Sequence, residues 1–77
     1  MRKNAEKALK AFDAGQACRG ETISTDGDNL YSYSMLIAKR FGKTVDIIAY
    51  EKAPSATTRS HIRATEVWFK DRINERF

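Results

Sequence analysis

Cysteine occurs once in these 77 residues, at position 18, and histidine and proline also occur once each, as His61 and Pro54. A single cysteine excludes an intrachain disulfide, and one Cys with one His cannot fill the ligand positions of a structural zinc site. The expectation is a reducing, cytoplasmic setting, with no metal and no other cofactor. Long apolar runs are absent too. The longest uncharged one, which contains Tyr31 to Ala38, is far shorter than the roughly 20 residues that cross a bilayer. Charges interrupt the apolar positions of MRKNAEKALKAF, so this stretch reads as neither a secretory signal nor an anchor, and no membrane partner is expected. Gly-rich phosphate loops, nucleophile elbows and metal-binding helices are missing as well.

What remains is the composition of one globular domain over residues 1–77, 42% hydrophobic and 31% charged. Fourteen Lys and Arg stand against ten Asp and Glu, a net charge of +4 that tilts towards anionic partners such as nucleic acid. Either a monomer or a homodimer is compatible with these numbers.

Helical spacing of Ala5, Ala8, Leu9 and Phe12 predicts an amphipathic helix over residues 2–14, capped at Asn4 and stopped by Gly15. Lys3, Lys7 and Lys10 lie on its other faces, either solvated or tracking a phosphate backbone. QACRG reads as a connector, and ETIST as a short strand. Asp26-Gly27 supplies a hairpin turn, because glycine tolerates the positive φ that a tight turn needs. A long second strand is expected through LYSYSMLIAKR, then a turn at Gly42-Lys43 and a third strand, TVDIIAY. From Pro54 the period returns to helical. Ile62, Phe69 and Ile73, with Val67 and Trp68 beside them, form a stripe over residues 58–75, with Thr57 the preferred cap. The expected fold is α+β, helix, three-stranded antiparallel meander, helix, with both helices on one sheet face.

Few groups suggest chemistry. His61 follows Ser60, but neighbours on a helix do not face one another, so they form no catalytic pair. Cys18 beside Arg19 reads as a spectator, and Asp26 with Asp28 as turn residues without the other oxygens of a calcium loop. No enzyme is expected. The second helix does go against local preference, since Arg59 and Arg63 occupy its first two turns with no acid before Glu66. With His61, Thr57 and Thr58 they would suit a phosphate or a partner's carboxylate. The alternative is internal pairing, Arg59 with Glu51 or Asp46 and Arg63 with Glu66. Tyr31 and Tyr33 are either core or a stacking platform for bases, supported by Lys39, Arg40 and Lys43 near the sheet end.

The combination of Thr25-Asp26-Gly27, Leu30-Tyr31-Ser32-Tyr33, Ile37-Ala38, and then Ser55, Thr57-Thr58 and His61, resembles a group of largely uncharacterised small proteins of bacteriophages and mobile elements. The resemblance covers roughly residues 23 to 62 and implies no particular activity. It implies a phage-type accessory protein, non-enzymatic, that binds a host protein or nucleoprotein complex in the host cytoplasm, of which anti-CRISPR inhibitors are one kind. The expected partner-binding residues are Tyr31, Tyr33, Arg59, His61, Arg63 and Trp68. A phosphate or anion set of Lys39, Arg40, Lys43, Thr57 and Thr58 serves the alternative, a small basic nucleic-acid-binding protein.

Overall fold

Two helices lie against a six-stranded sheet in the computed structural model, which describes residues 3–77 and side chains from residue 5 onward. The helix start expected at residue 2 lies outside the described residues, as do the side chains of Lys3 and Asn4. Helix α1 spans Lys3–Asp13 and buries Ala5, Ala8, Leu9 and Phe12, the i, i+3, i+4, i+7 stripe of an amphipathic helix. Gly15 follows with φ +72°, and the Ala14, Gly15 and Gln16 amides donate back to carbonyls of the last turn.

The strands are β1 (Ala17–Arg19), β2 (Ile23–Asp26), β3 (Asn29–Ser32), β4 (Met35–Phe41), β5 (Thr44–Ile47) and β6 (Ile73–Arg76). They are ordered as numbered, antiparallel except for the parallel β5–β6 pair. The α+β class is as expected, but the three-stranded meander is too small, for three reasons. The QACRG connector contains β1, which pairs with β2. The long second strand breaks at Tyr33-Ser34, a two-residue turn that places Ser32 opposite Met35 and makes two strands of one. The second helix, α2, covers only Ala56–Phe69. A single 3-10 turn (Lys70–Arg72) then leads into β6, so Ile73 belongs to the sheet rather than to a helical stripe.

Alternation along the strands decides which face is covered. Ile23, Thr25, Leu30, Ser32, Ala38, Val45 and Ile47 are buried. Arg19, Ser24, Tyr31 and Leu36 occupy the opposite row, paired across β1–β4 by register. Tyr31 and Tyr33 therefore do not share a strand face: Tyr31 is on the uncovered side, and Tyr33 is at a turn. Helix α1 packs on β1–β3 and α2 on β3 and β5. The helices meet where the Phe12 and Phe69 rings make an edge-to-face contact at 5.5 Å.

The turn at residues 26–28 is held by side chains. Asp26 Oδ1 accepts from the amides of Asp28 (2.9 Å) and Asn29 (2.8 Å), and Thr25 Oγ1 accepts from the Gly27 amide. Gly27, at φ +102°, lies so close to α1's end that a Cβ there would sit 2.7 Å from the Gly15 carbonyl oxygen. No side chain fits.

Candidate functional site

Helix α2 begins at Ser55, not Thr57. Ser55 Oγ accepts from the Thr58 amide at 3.3 Å, and its extended backbone is the conformation an N-cap needs. This entry angle turns Thr58 and His61 inwards. Ser32 Oγ lies 2.9 Å from Thr58 Oγ1 and 2.6 Å from His61 Nδ1, while His61 Nε2 is 3.5 Å from Thr22 Oγ1. Thr65 Oγ1 donates to the His61 carbonyl at 2.7 Å. These hydroxyls and the imidazole thus tie β3 to the first turns of α2 through polar groups that burial would otherwise penalise.

The placement corrects two expectations. His61, 7% exposed, and Thr58, 1% exposed, are interior groups, and neither faces a partner or an anion in solvent. Sequence reasoning dismissed Ser60 as a partner for His61 but did not foresee Ser32, which is 29 residues away. The Ser32–His61 contact has the spacing of a nucleophile and its base, but Ser32 is 1% exposed and its hydroxyl also meets Thr58. A substrate carbonyl has no approach to it.

Two further expected residues are held internally. The Arg40 guanidinium donates to the Phe12 and Gly27 carbonyls, lies 5.3 Å above the Phe12 ring centre, and is 3.9 Å from Asp28. These contacts make it a clamp between α1 and the 26–28 turn, a role the sequence did not show. Trp68 is half-buried, and its Nε1 donates to Asp13 Oδ2 at 3.0 Å. The Asp13 carboxylate also accepts hydrogen bonds from both terminal nitrogens of Arg72, at 2.8 and 2.9 Å. That hydrogen-bonded pairing with Arg72, aided by Trp68 and opposed by desolvation, holds the Asp13 carboxyl below the usual carboxylate range.

The remaining expected residues divide between two surfaces. On the outer side of α2, Arg59, Arg63 and Val67 follow one another at four-residue intervals, all exposed, with Val67 at 68%. Val67, expected within the apolar stripe, is on the solvent side because the stripe follows Thr58, Ile62, Thr65 and Phe69. Arg59 makes no side-chain hydrogen bond or ion pair among the described residues, so neither Glu51 nor Asp46 takes it. Asp46 is instead bonded by Asn74 at 2.9 Å. The Arg63 guanidinium carbon lies over the Tyr50 ring, 4.2 Å from its centre, with Glu66 3.8 Å away. Tyr50, from the 3-10 turn Tyr50–Lys52, walls a groove of about 560 Å³ with these residues, Ser60 and Ala64. Sequence reasoning missed Tyr50 and the exposure of Val67. Only the chain reversal before α2 brings Tyr50 beside Arg63.

The second surface is the uncovered sheet face, where Tyr31, Arg19 and Ser24 line a hollow of about 390 Å³. Lys39, paired in register with Asn29 and Asp46, holds its ammonium 5.0 Å above the Phe77 ring, and Lys43 is exposed at the β4–β5 turn. Tyr33 is 54% exposed at φ +55°, its amide donating to the Thr22 carbonyl at 2.7 Å. Thr57 is half-buried beside the α2 cap. The half-buried Cys18 is a free thiol, and no group of three or more His, Cys, Asp or Glu suited to a metal occurs among the described residues. None of their helices is long and apolar enough to cross a membrane.

Comparison of the chain with family models, curated proteins and solved structures gives no match.

Proposed function

We propose that this chain is a non-enzymatic accessory binding module of the phage or mobile-element kind. It docks on a host protein or nucleoprotein complex and acts by occupying a surface, as a defence inhibitor of the anti-CRISPR type would. The observation that carries this reading is the outer face of α2, where two arginines and a valine stand exposed together. Arginine is enriched at binding hot spots, and leaving an aliphatic side chain in water forgoes the roughly 1.5–3 kcal/mol that its burial supplies. Interior use of His61, the only histidine, further supports a role without general acid-base work. The test is affinity capture of the tagged full chain from host lysate, with and without nuclease. A protein retained after nuclease treatment is the expected result. Retention of nothing, or turnover of a substrate abolished by His61→Ala, would contradict the reading.

A second reading, direct nucleic-acid binding, draws on the uncovered sheet face. Tyr31 lies there across from Ser24 and beside Arg19, an aromatic with a cation at hand for a base and its phosphate. A gel-shift series on single-stranded DNA and RNA separates the two. Retention at low salt that falls steeply as salt rises supports this second reading, and no retention at low salt removes it.

A further inference from the structure

Resting on the reading of α2 as a docking face, we infer that the groove beside it takes an acidic peptide segment of a partner protein. The peptide presents carboxylates to Arg59 and Arg63 and one aliphatic side chain to Val67.

Charge is the first argument. Neither Asp nor Glu lines the groove, and both of its ionic groups are guanidinium. Arg59 and Arg63 are four residues apart on one helix face, where like charges repel by a few tenths of a kcal/mol. An anion between them relieves that repulsion and supplies the pairing that Arg59 otherwise lacks among the described residues.

Donor geometry is the second. A guanidinium carries its five N–H groups in its plane, so stacking on a ring engages its face and leaves its edges for acceptors. The Arg63 guanidinium carbon lies over Tyr50, 4.2 Å from the ring centre, and its Glu66 contact at 3.8 Å is well beyond the roughly 2.7–2.9 Å of a charge-assisted hydrogen bond. Glu66 is meanwhile hydrogen-bonded to Arg76. Arg63 is therefore oriented by an aromatic neighbour while its donors remain available to a carboxylate.

Shape and wall chemistry are the third. From Arg59 to Val67 is eight residues, about 12 Å of helix, which matches about four residues of extended peptide. The far end of that track is the apolar corner of Ala64 and the 68% exposed Val67. A phosphate backbone has no group for this corner. The groove's one ring, Tyr50, has the Arg63 guanidinium over it, which competes with a base for stacking there. These features favour a peptide over a nucleic acid.

The experiment is an NMR titration of the isotope-labelled full chain with a synthetic Gly-flanked peptide alternating Glu and Leu, its Gln-for-Glu analogue, and oligothymidine. Binding by so short a peptide is expected on the order of 0.1–1 mM. Amide shifts at Tyr50, Ser60 and Val67 with the Glu peptide, absent with the Gln analogue, support the inference. So does a loss of affinity of about tenfold or more in Arg59→Gln/Arg63→Gln. Val67→Ser tests the apolar corner separately and should weaken Glu-peptide binding several-fold without touching either arginine. Equal binding of the Gln analogue, shifts confined to the sheet face, a stronger response of the same amides to oligothymidine, or no response to the Glu peptide overturns it. Capture of a nuclease-resistant partner unaffected by the double variant would overturn the groove assignment and leave the broader docking reading standing.

Discussion

Arg40 joins three parts of the chain through one guanidinium: the last turn of α1, the 26–28 turn and the strand that carries it. Carbonyls at a helix end have no intrahelical partner, so a cation there satisfies them and complements the helix dipole. Replacement by Ala removes both hydrogen bonds, and Arg40→Ala should lower stability by about 2–3 kcal/mol in urea titration, with no effect on any partner. Ser32 has a comparable role at the other end of the core. Its hydroxyl meets Thr58 and His61 together, so Ser32→Ala removes one hydrogen bond from each of two interior groups, a loss of about 2 kcal/mol. By contrast, Arg59→Gln should be nearly neutral for folding, within about 0.5 kcal/mol by thermal unfolding, because it touches nothing the fold requires.

Among the elements, the start of α2 separates the expected cap from the observed one. Ser55→Ala should cost about 1 kcal/mol, and Thr57→Ala only a few tenths, as read by denaturant midpoints. Both hydroxyl residues are good caps in isolation, and the difference arises only because capping at Ser55 points Thr58 and His61 at Ser32. The same limit explains the sheet. Asp26-Gly27 announced its turn because glycine's φ is visible in residue type, but Tyr33-Ser34 carries no such sign. Tyr33 adopts φ +55°, against a tyrosine's own preference, where its amide is fixed by the Thr22 carbonyl and the strands on either side pair. Strand β6 was hidden in the same way. Ile73 continues the spacing of Ile62 and Phe69, so periodicity alone extends the helix through it, whereas pairing with Val45 draws it into the sheet. The first helix, two of the turns and the α+β class were legible because they depend on local pattern. The interior roles of Arg40, His61 and Trp68 were not, because each depends on a partner at least 13 residues away.

At the scale of the whole molecule, Asp13 links the end of α1 to Trp68 and to Arg72 beyond α2. Its carboxyl is held below the usual range by Arg72 in the folded state, so it binds its proton more weakly folded than unfolded. The stability it contributes is complete above the unfolded pKa and is lost as pH falls below about 4 through the folded value. Thermal unfolding followed by circular dichroism should therefore show a decline in wild-type midpoint towards low pH that is smaller in Asp13→Asn. The surface proposed for contact is the outer side of α2, where Arg59, Arg63 and Val67 are exposed together. Site-specific photo-cross-linking from position 67 in host cells, followed by nuclease digestion, addresses that most directly. The account predicts a cross-linked protein that survives nuclease and is absent when the same probe is placed at position 7 on α1. No protein adduct from position 67, or one that disappears on nuclease digestion, would contradict it.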